Sequence, residues 1–173
     1  MKKVLSFALM ATILFAGTNC QAQEKKKPAS PPMSVTETLK SGAVVSINYG
    51  SPSVKGRTIG KDLEPKAGQV WRAGANDATV FETSKDLSID GQTLPAGKYS
   101  LFVISGDDKW TVIFNKTWKQ WGAYEYKATD DALRIMAKAG KAKPFAESLA
   151  YTIDKNGKVN MMWGDHEISF KAK

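Results

Sequence analysis

Apolar and polar residues alternate along much of this chain, which is the two-residue period of a β-strand. Residues 45–49 and 149–153 carry their large apolar side chains at every second position. Residues 98–104 are instead apolar on both faces, which predicts a central strand with 110–114 as its antiparallel partner. The pattern therefore indicates a mainly β protein.

Turn-forming residues separate these runs. Asp90-Gly91 and Asn156-Gly157 are strong hairpin signals, and Gly164-Asp165-His166-Glu167 is also predicted to form a turn. The runs between such signals number about eight or nine, at the regular spacing of all-β folds. The sequence thus predicts a single-domain antiparallel β-sandwich, in a jelly-roll or immunoglobulin-like arrangement, with little helix.

One segment fits two periods. Residues 129–143 begin with an N-cap-like residue and would place Leu133, Met136 and Ala137 on one face of a helix. Leu133, Ile135 and Ala137 also alternate as they would in a strand. The pattern alone leaves helix and strand open.

The N-terminal residues predict export. Lys2 and Lys3 precede an apolar run at 4–16, and small and polar residues follow, which is the order found in a secretory signal peptide. We expect cleavage after Ala22 and a periplasmic or secreted protein. The alternative is a lipoprotein anchored to the outer membrane through an acylated Cys20.

These features divide the chain into three parts: a signal peptide at 1–22, a flexible Lys- and Pro-rich linker at 23–40, and the β-sandwich domain at 41–173. Cys20 is the sole cysteine of the sequence, so no disulfide forms within one chain. The formal net charge is +8, but both signs are mixed along the chain and arginines are few. We therefore expect no nucleic-acid partner, and membrane contact only through a lipid at Cys20.

Catalytic motifs are missing from the sequence. The sole histidine is His166, and the sequence has no Gly-x-Ser-x-Gly motif whose serine it could activate. Asp165, His166 and Glu167 would alternate sides in an extended chain, so they would not all face one metal ion. The glycine-rich stretch at 56–62 departs from a phosphate-binding loop in spacing and carries Asp62 where a hydroxyl belongs. We expect no cofactor and no metal.

The irregular region at 51–79 is the first candidate for binding. Loops on rigid β scaffolds often carry function, and this one offers five polar or charged side chains. They are Lys55, Arg57, Arg72, Asn76 and Asp77. Arg57 and Arg72 are predicted to form a forked anion site. The alternative is that Asp77 or Glu82 pairs with these arginines and that Asn76 caps the turn.

The second candidate is aromatic. Trp118, Trp121, Tyr124 and Tyr126 lie close together in the sequence. Exposed aromatic rings bind sugars and peptides because a flat ring buries much area at little entropic cost. The alternative is a core position, with Tyr124 and Tyr126 on one strand face.

Five motifs follow one another along the chain. They are Ser51-Pro52-Ser53-Val54-Lys55-Gly56-Arg57, Val70-Trp71-Arg72-Ala73-Gly74-Ala75-Asn76-Asp77-Ala78-Thr79, Leu94-Pro95-Ala96-Gly97-Lys98-Tyr99-Ser100-Leu101-Phe102, Trp110-Thr111-Val112-Ile113-Phe114-Asn115 and Gln120-Trp121-Gly122-Ala123-Tyr124. This ordered set resembles the bacterial family called domain of unknown function 2911. The resemblance covers about residues 34–170 and implies an exported, β-rich protein with a strand at 133–138; it implies no reaction.

Together these features predict a non-enzymatic binding or interaction module of the envelope, for an anionic or carbohydrate ligand. A hydrolase that uses carboxylates on an envelope polymer is one alternative. A purely structural envelope protein is the other.

Overall fold

The computed structural model describes residues 28–173. The predicted signal peptide, its cleavage site and Cys20 lie outside the described residues. Within them the chain forms ten β-strands and a 3-10 turn at Ala128–Asp130. The strands are β1 (Pro32–Thr38), β2 (Val44–Gly50), β3 (Val70–Trp71), β4 (Thr79–Thr83), β5 (Leu87–Ile89), β6 (Gln92–Leu94), β7 (Gly97–Ile104), β8 (Lys109–Asn115), β9 (Asp131–Ile153) and β10 (Lys158–Lys171).

Seven strands form one antiparallel sheet in the order β1-β2-β4-β7-β8-β9-β10, which curls into a half-barrel. The short β3 pairs with β7, and β5 and β6 make a separate hairpin. After β2 ends, Ser53 forms an isolated antiparallel bridge with Ser148 of β9. The predicted mainly β, single-domain, antiparallel fold is confirmed, with its strands in one curled sheet and one small hairpin sheet.

Both hairpin signals form turns. Asp90 and Gly91 each adopt positive φ, 45° and 89°, as a type I′ turn requires, and Gly157 has a φ of 82°. The ambiguous segment at 129–143 is strand from Asp131 onward, as the family resemblance implies.

Two expectations were wrong. Residues 164–167 do not turn the chain but lie inside β10, where the register with β9 shifts on both sides of Gly164. Such a β-bulge breaks the apolar alternation without ending the strand. Residues 32–38, predicted as part of the linker at 23–40, form β1 and pair with β2 along their whole length. Backbone hydrogen bonds to β2 hold this edge strand in place, although most of its side chains are exposed. Its one proline, Pro32, is the first residue of the strand, where the missing N–H is tolerated.

The concave face of the sheet holds the core. Aromatic rings from distant strands meet there: Phe114 of β8 packs edge-on against Phe81 at 5.1 Å and Phe170 at 5.8 Å. Trp71 and Trp163 stack with ring centroids 6.5 Å apart. These contacts pack the strands of the curled sheet together, and no disulfide links residues 28–173.

The convex face carries a second, smaller cluster built on Ala78, Phe102 and Ile113. Ala123 and Tyr126 pack onto it from the irregular segment 116–127, which we call the cover segment. This cover decides the shape of the candidate site, because it brings the chain after β8 back across the outside of the sheet.

Candidate functional site

The candidate site lies where the strand pairing along one edge of β7 is interrupted. Trp71 of β3 pairs with Val103, and Thr79 of β4 pairs with Leu101, so both strands lie along the same edge of β7. Residues 72–78 therefore leave the sheet opposite Phe102. We call them the excursion.

The excursion is fixed by hydrogen bonds from buried side chains. The carbonyl of Ala73 accepts from the hydroxyl of Thr79 at 2.9 Å and from that of Tyr151 at 2.7 Å. The Trp71 indole donates to the carbonyl of Gly74 at 3.1 Å. Ala73 holds a φ of 52°, a conformation that costs energy for a residue with a Cβ and persists where surrounding contacts enforce it.

The excursion pairs with the cover segment. Ala78 N donates to Gln120 O at 3.0 Å and Gly122 N donates to Asn76 O at 3.1 Å, so the two bonds flank an antiparallel bridge between Asp77 and Trp121. A pair placed between such bonds is of the non-hydrogen-bonded type, with Cα atoms about 4.5 Å apart and side chains on one side. A carboxylate and an indole thus stand next to each other, and both residues are exposed.

Arg72 and Tyr124 flank Gly122 of this bridge. A Cβ on Gly122 would lie 3.1 Å from the Tyr124 ring and 3.7 Å from Nη1 of Arg72. Nε of Arg72 is buried and has no hydrogen-bond partner within residues 28–173. Tyr124 is 84% exposed, so its ring is free to meet a ligand.

A cleft of about 600 Å³ runs from Asp77 along the outside of β1, β2 and β4. That volume lies in the range of small-molecule sites. Its polar lining comes from Ser30, Ser34, Asn48, Asn76 and Asp77, beside apolar Pro32, Met33 and Val80. Hydroxyl and amide groups with one carboxylate supply this cleft with both hydrogen-bond donors and acceptors.

Comparison with protein families adds one result. A sequence model of the family described as "Protein of unknown function (DUF2911)" matches residues 30–172, nearly all of the described part. The chain belongs to the DUF2911 family. Comparison with curated proteins finds no significant match, and comparison with solved structures finds none either.

The five loop residues predicted for binding fall into two groups in this DUF2911 protein. Arg72, Asn76 and Asp77 belong to the excursion. Lys55 and Arg57 lie instead beside β9, where the backbone N of Lys55 donates to Glu147 at 2.7 Å. The contacts do not bring the two arginines together.

The side chain of Arg57 is already engaged. Its guanidinium donates to the carbonyls of Ser53 at 2.7 Å and Val54 at 3.1 Å. Asp77 forms no ion pair among the described residues, and Glu82 pairs with Lys98 rather than with an arginine. Asn76 has a φ of 67° and donates from its amide to Ser30 O at 3.4 Å, so it shapes the turn and holds the N-terminal edge of the cleft.

The four aromatic residues also divide. Trp118, Trp121 and Tyr124 are all exposed. Trp121 and Tyr124 lie at the bridge, and Trp118 lies under the ammonium of Lys98, 5.2 Å from its ring centroid. Tyr126 packs against Phe102 at 5.1 Å and belongs to the convex cluster. Residues 122–125 form a turn and not a strand, so Tyr124 and Tyr126 do not share a strand face.

Tyr126 has a structural network of its own. Its hydroxyl donates to Asp131 at 2.9 Å and accepts from Arg134. Burial, and then the hydrogen bond to Asp131, raise the pKa of Tyr126 above its ordinary value. Asp131 in turn raises the pKa of Arg134. This network fastens the end of the cover segment to β9.

The sequence did not single out Gln120, or Ser34 and Asn48, as candidate site residues. Ser34 and Asn48 form one wall of the cleft. Gln120 is 93% buried, donates to Thr117 O at 2.6 Å, and leaves its Oε1 without a partner among the described residues. Ser34 and Asn48 are directly opposite each other on β1 and β2. Polar residues at alternate strand positions look like ordinary solvated ones, so the sequence offered no signal for the wall.

No helix within 28–173 has the length and apolar character needed to cross a bilayer. The same residues hold no group of three His, Cys, Asp or Glu side chains placed for a metal ion.

Proposed function

We propose that this DUF2911 protein is an exported carbohydrate-binding module whose site consists of the Asp77–Trp121 bridge and the adjoining cleft. The observation that carries the proposal is the bridge itself, because it sets a carboxylate beside an exposed indole. A sugar presents an apolar face to a ring and hydroxyl groups at its edge, so it uses both groups at once.

The lining of the cleft favours a carbohydrate over an anion. Its described residues include no lysine or arginine and one acid, Asp77. An anionic ligand in the cleft would meet this carboxylate, whereas hydroxyl groups would donate to it. Arg72 offers a donor on the Tyr124 side, where a ring oxygen or an acidic substituent of the sugar would fit.

The same lining argues for binding rather than hydrolysis. Glycoside hydrolases ordinarily use two carboxyl groups, one on each side of the scissile bond. Asp77 is the one carboxyl residue among the described residues that line the cleft.

An array of neutral and acidic oligosaccharides tests the proposal, followed by calorimetry with the tightest-binding glycan. Trp121→Ala and Asp77→Ala should each weaken binding by about tenfold or more, corresponding to about 1.4 kcal/mol. Asp77→Asn keeps an acceptor oxygen and should retain more affinity than Asp77→Ala.

Phe145→Ala is the matched control, because Phe145 is an aromatic residue on β9 that is 55% exposed, similar to Trp121 at 59%, and belongs to neither the bridge nor the cleft lining. It should bind like the parent protein. If no glycan binds, or if Phe145→Ala loses as much affinity as Trp121→Ala, carbohydrate recognition at this site is wrong.

Export and envelope location are part of the proposal and rest on the sequence of residues 1–22. Intact mass of the native protein tests them. A chain that starts at Gln23 supports free export, and an acylated Cys20 supports the lipid-anchored alternative. Retention of residues 1–22 would contradict both.

A further inference from the structure

Five lysines gather at the end of the half-barrel remote from the cleft. Lys40, Lys155, Lys171 and Lys173 line one depression of about 300 Å³. The ammonium of Lys85 reaches the carbonyl of Ser41 on its rim, at 3.4 Å. We call this surface the lysine end.

The fold brings these residues together from four separate segments. The β1–β2 turn meets the β9–β10 turn, where Lys40 N donates to Lys155 O at 2.9 Å. The last residues of the chain run past the β5–β6 hairpin, where Ser88 N donates to Lys173 O at 2.8 Å. The clustering of charge is therefore a property of the fold and is invisible in the sequence.

The ammonium groups of the lysine end keep a net positive charge. None of the five lysines takes part in an ion pair among residues 28–173. Two acids lie nearby, and each also accepts from a backbone N–H: Asp90 from Lys171 N at 3.0 Å, and Asp154 from Asn156 N at 2.8 Å. The charge of Lys171 acts on Asp154, but the five ammonium groups outnumber these two carboxylates. All five lysine side chains are exposed.

We infer that the lysine end is a second interaction surface, which binds a soluble polyanion bearing several carboxylate or phosphate groups. Several cations around one depression match a chain of repeated negative charges better than one small anion, because each ammonium meets its own charged group. This surface is separate from the proposed carbohydrate site and does not depend on it.

Two observations favour a polymer over a membrane. Amphipathic segments that insert into a membrane surface combine lysines with aromatic or other apolar residues. The exposed aromatic residues of the described chain lie in the cover segment and at Phe145, away from the lysine end. Second, Pro32 pairs with Gly50 at the opposite end of the β1–β2 pair from Lys40, so an anchor joined through the N-terminal segment attaches at the far end.

The test measures binding of the full mature protein to polygalacturonate, to inorganic polyphosphate and to phosphatidylcholine vesicles with and without phosphatidylglycerol. The key variant replaces Lys40, Lys155, Lys171 and Lys173 with Gln. The control replaces Lys109, Lys138, Lys141 and Lys143, which are also exposed and outside the ion pairs of the described residues, and it lowers the net charge equally.

At low salt the key variant should lose about tenfold or more in affinity for at least one polymer, and the control less than about threefold. Binding should also vanish near 1 M salt, where the Debye length is about 3 Å. Equal losses in both variants would reduce the effect to net charge and overturn the proposal. So would binding only to the phosphatidylglycerol vesicles, or no binding to either polymer. Circular dichroism melts confirm that both variants fold.

Discussion

The hydroxyl of Tyr151 donates a hydrogen bond to the carbonyl of Ala73 at 2.7 Å, across a separation of 78 residues. Tyr151 lies on β9 in the concave core, with its ring 4.7 Å from that of Tyr49, and Ala73 begins the excursion on the other side of the core. Burial raises the pKa of Tyr151 well above its ordinary value, so the hydroxyl stays protonated and remains a donor. The core therefore holds the candidate site in place.

Removal of this hydroxyl should loosen the site. Tyr151→Phe removes the buried hydroxyl that bonds to Ala73 O and also contacts Sδ of Met161. This should lower the free energy of unfolding by about 1 kcal/mol in urea titrations. Ala73 O keeps its bond from Thr79, so the fold survives. Exchange of the Ala78 and Gly122 amide protons should become faster, because both bond across the bridge that the excursion supports.

Tyr99→Phe is the control for that variant. Tyr99 is a buried tyrosine whose hydroxyl donates to Pro95 O at 2.9 Å, far from the excursion. It should cost a similar amount of stability and leave exchange at Ala78 and Gly122 unchanged beyond the global effect. Similar exchange in both variants would mean that Tyr151 does not position the excursion.

The sequence predicted those parts of the fold that local chemistry decides. Asp90-Gly91 forms its hairpin because both residues tolerate positive φ, and the alternation at 149–153 places Leu149, Tyr151 and Ile153 in the core. The bulge at Gly164 was mistaken for a turn because a glycine and charged residues look the same in either. Only the partner strand distinguishes the two.

The candidate site was predicted as two unrelated regions. The bridge between Asp77 and Trp121 joins them, and it depends on the cover segment folding back over Phe102 and Ile113. That contact follows from apolar residues on the convex face of the sheet, and no period in the sequence reveals which loop will cover them. Arg57 and Arg72 were predicted to form one anion site, but the hydrogen bonds of Arg57 run to Ser53 and Val54, whereas Arg72 lies beside Gly122.

A pH titration tests the β9–β10 turn. Oδ1 of Asp154 accepts hydrogen bonds from the backbone N–H groups of Lys158 at 3.0 Å and Asn156 at 2.8 Å. The bond from Lys158, then that from Asn156 and the charge of Lys171, lower the pKa of Asp154 below its ordinary value of 3.8. The folded pKa is lower than the unfolded one, so the stabilisation is complete above the unfolded value and is lost as pH falls through the folded value.

The carboxyl carbon of Asp154 and the amide of Lys158 should therefore titrate together in NMR spectra, with a midpoint below 3.8. Asp154→Ala should abolish the titration of the Lys158 amide. A midpoint at or above 3.8 would contradict the hydrogen-bonded turn.

Gly50 decides how closely β2 approaches the excursion. A Cβ on Gly50 would lie 2.2 Å from the carbonyl oxygen of Ala75, whose backbone N donates to Gly50 O at 3.1 Å. Gly50→Ala should therefore push the excursion outward, lower the free energy of unfolding by about 2 kcal/mol, and weaken glycan binding.

Gly140→Ala is the control. Gly140 is also a strand glycine without positive φ, and its added Cβ would lie 3.9 Å from the nearest atom, Glu167 O, which is an ordinary contact distance. It should change stability by no more than about 0.5 kcal/mol. Equal stability of the two variants in urea would show that this approach is not tight.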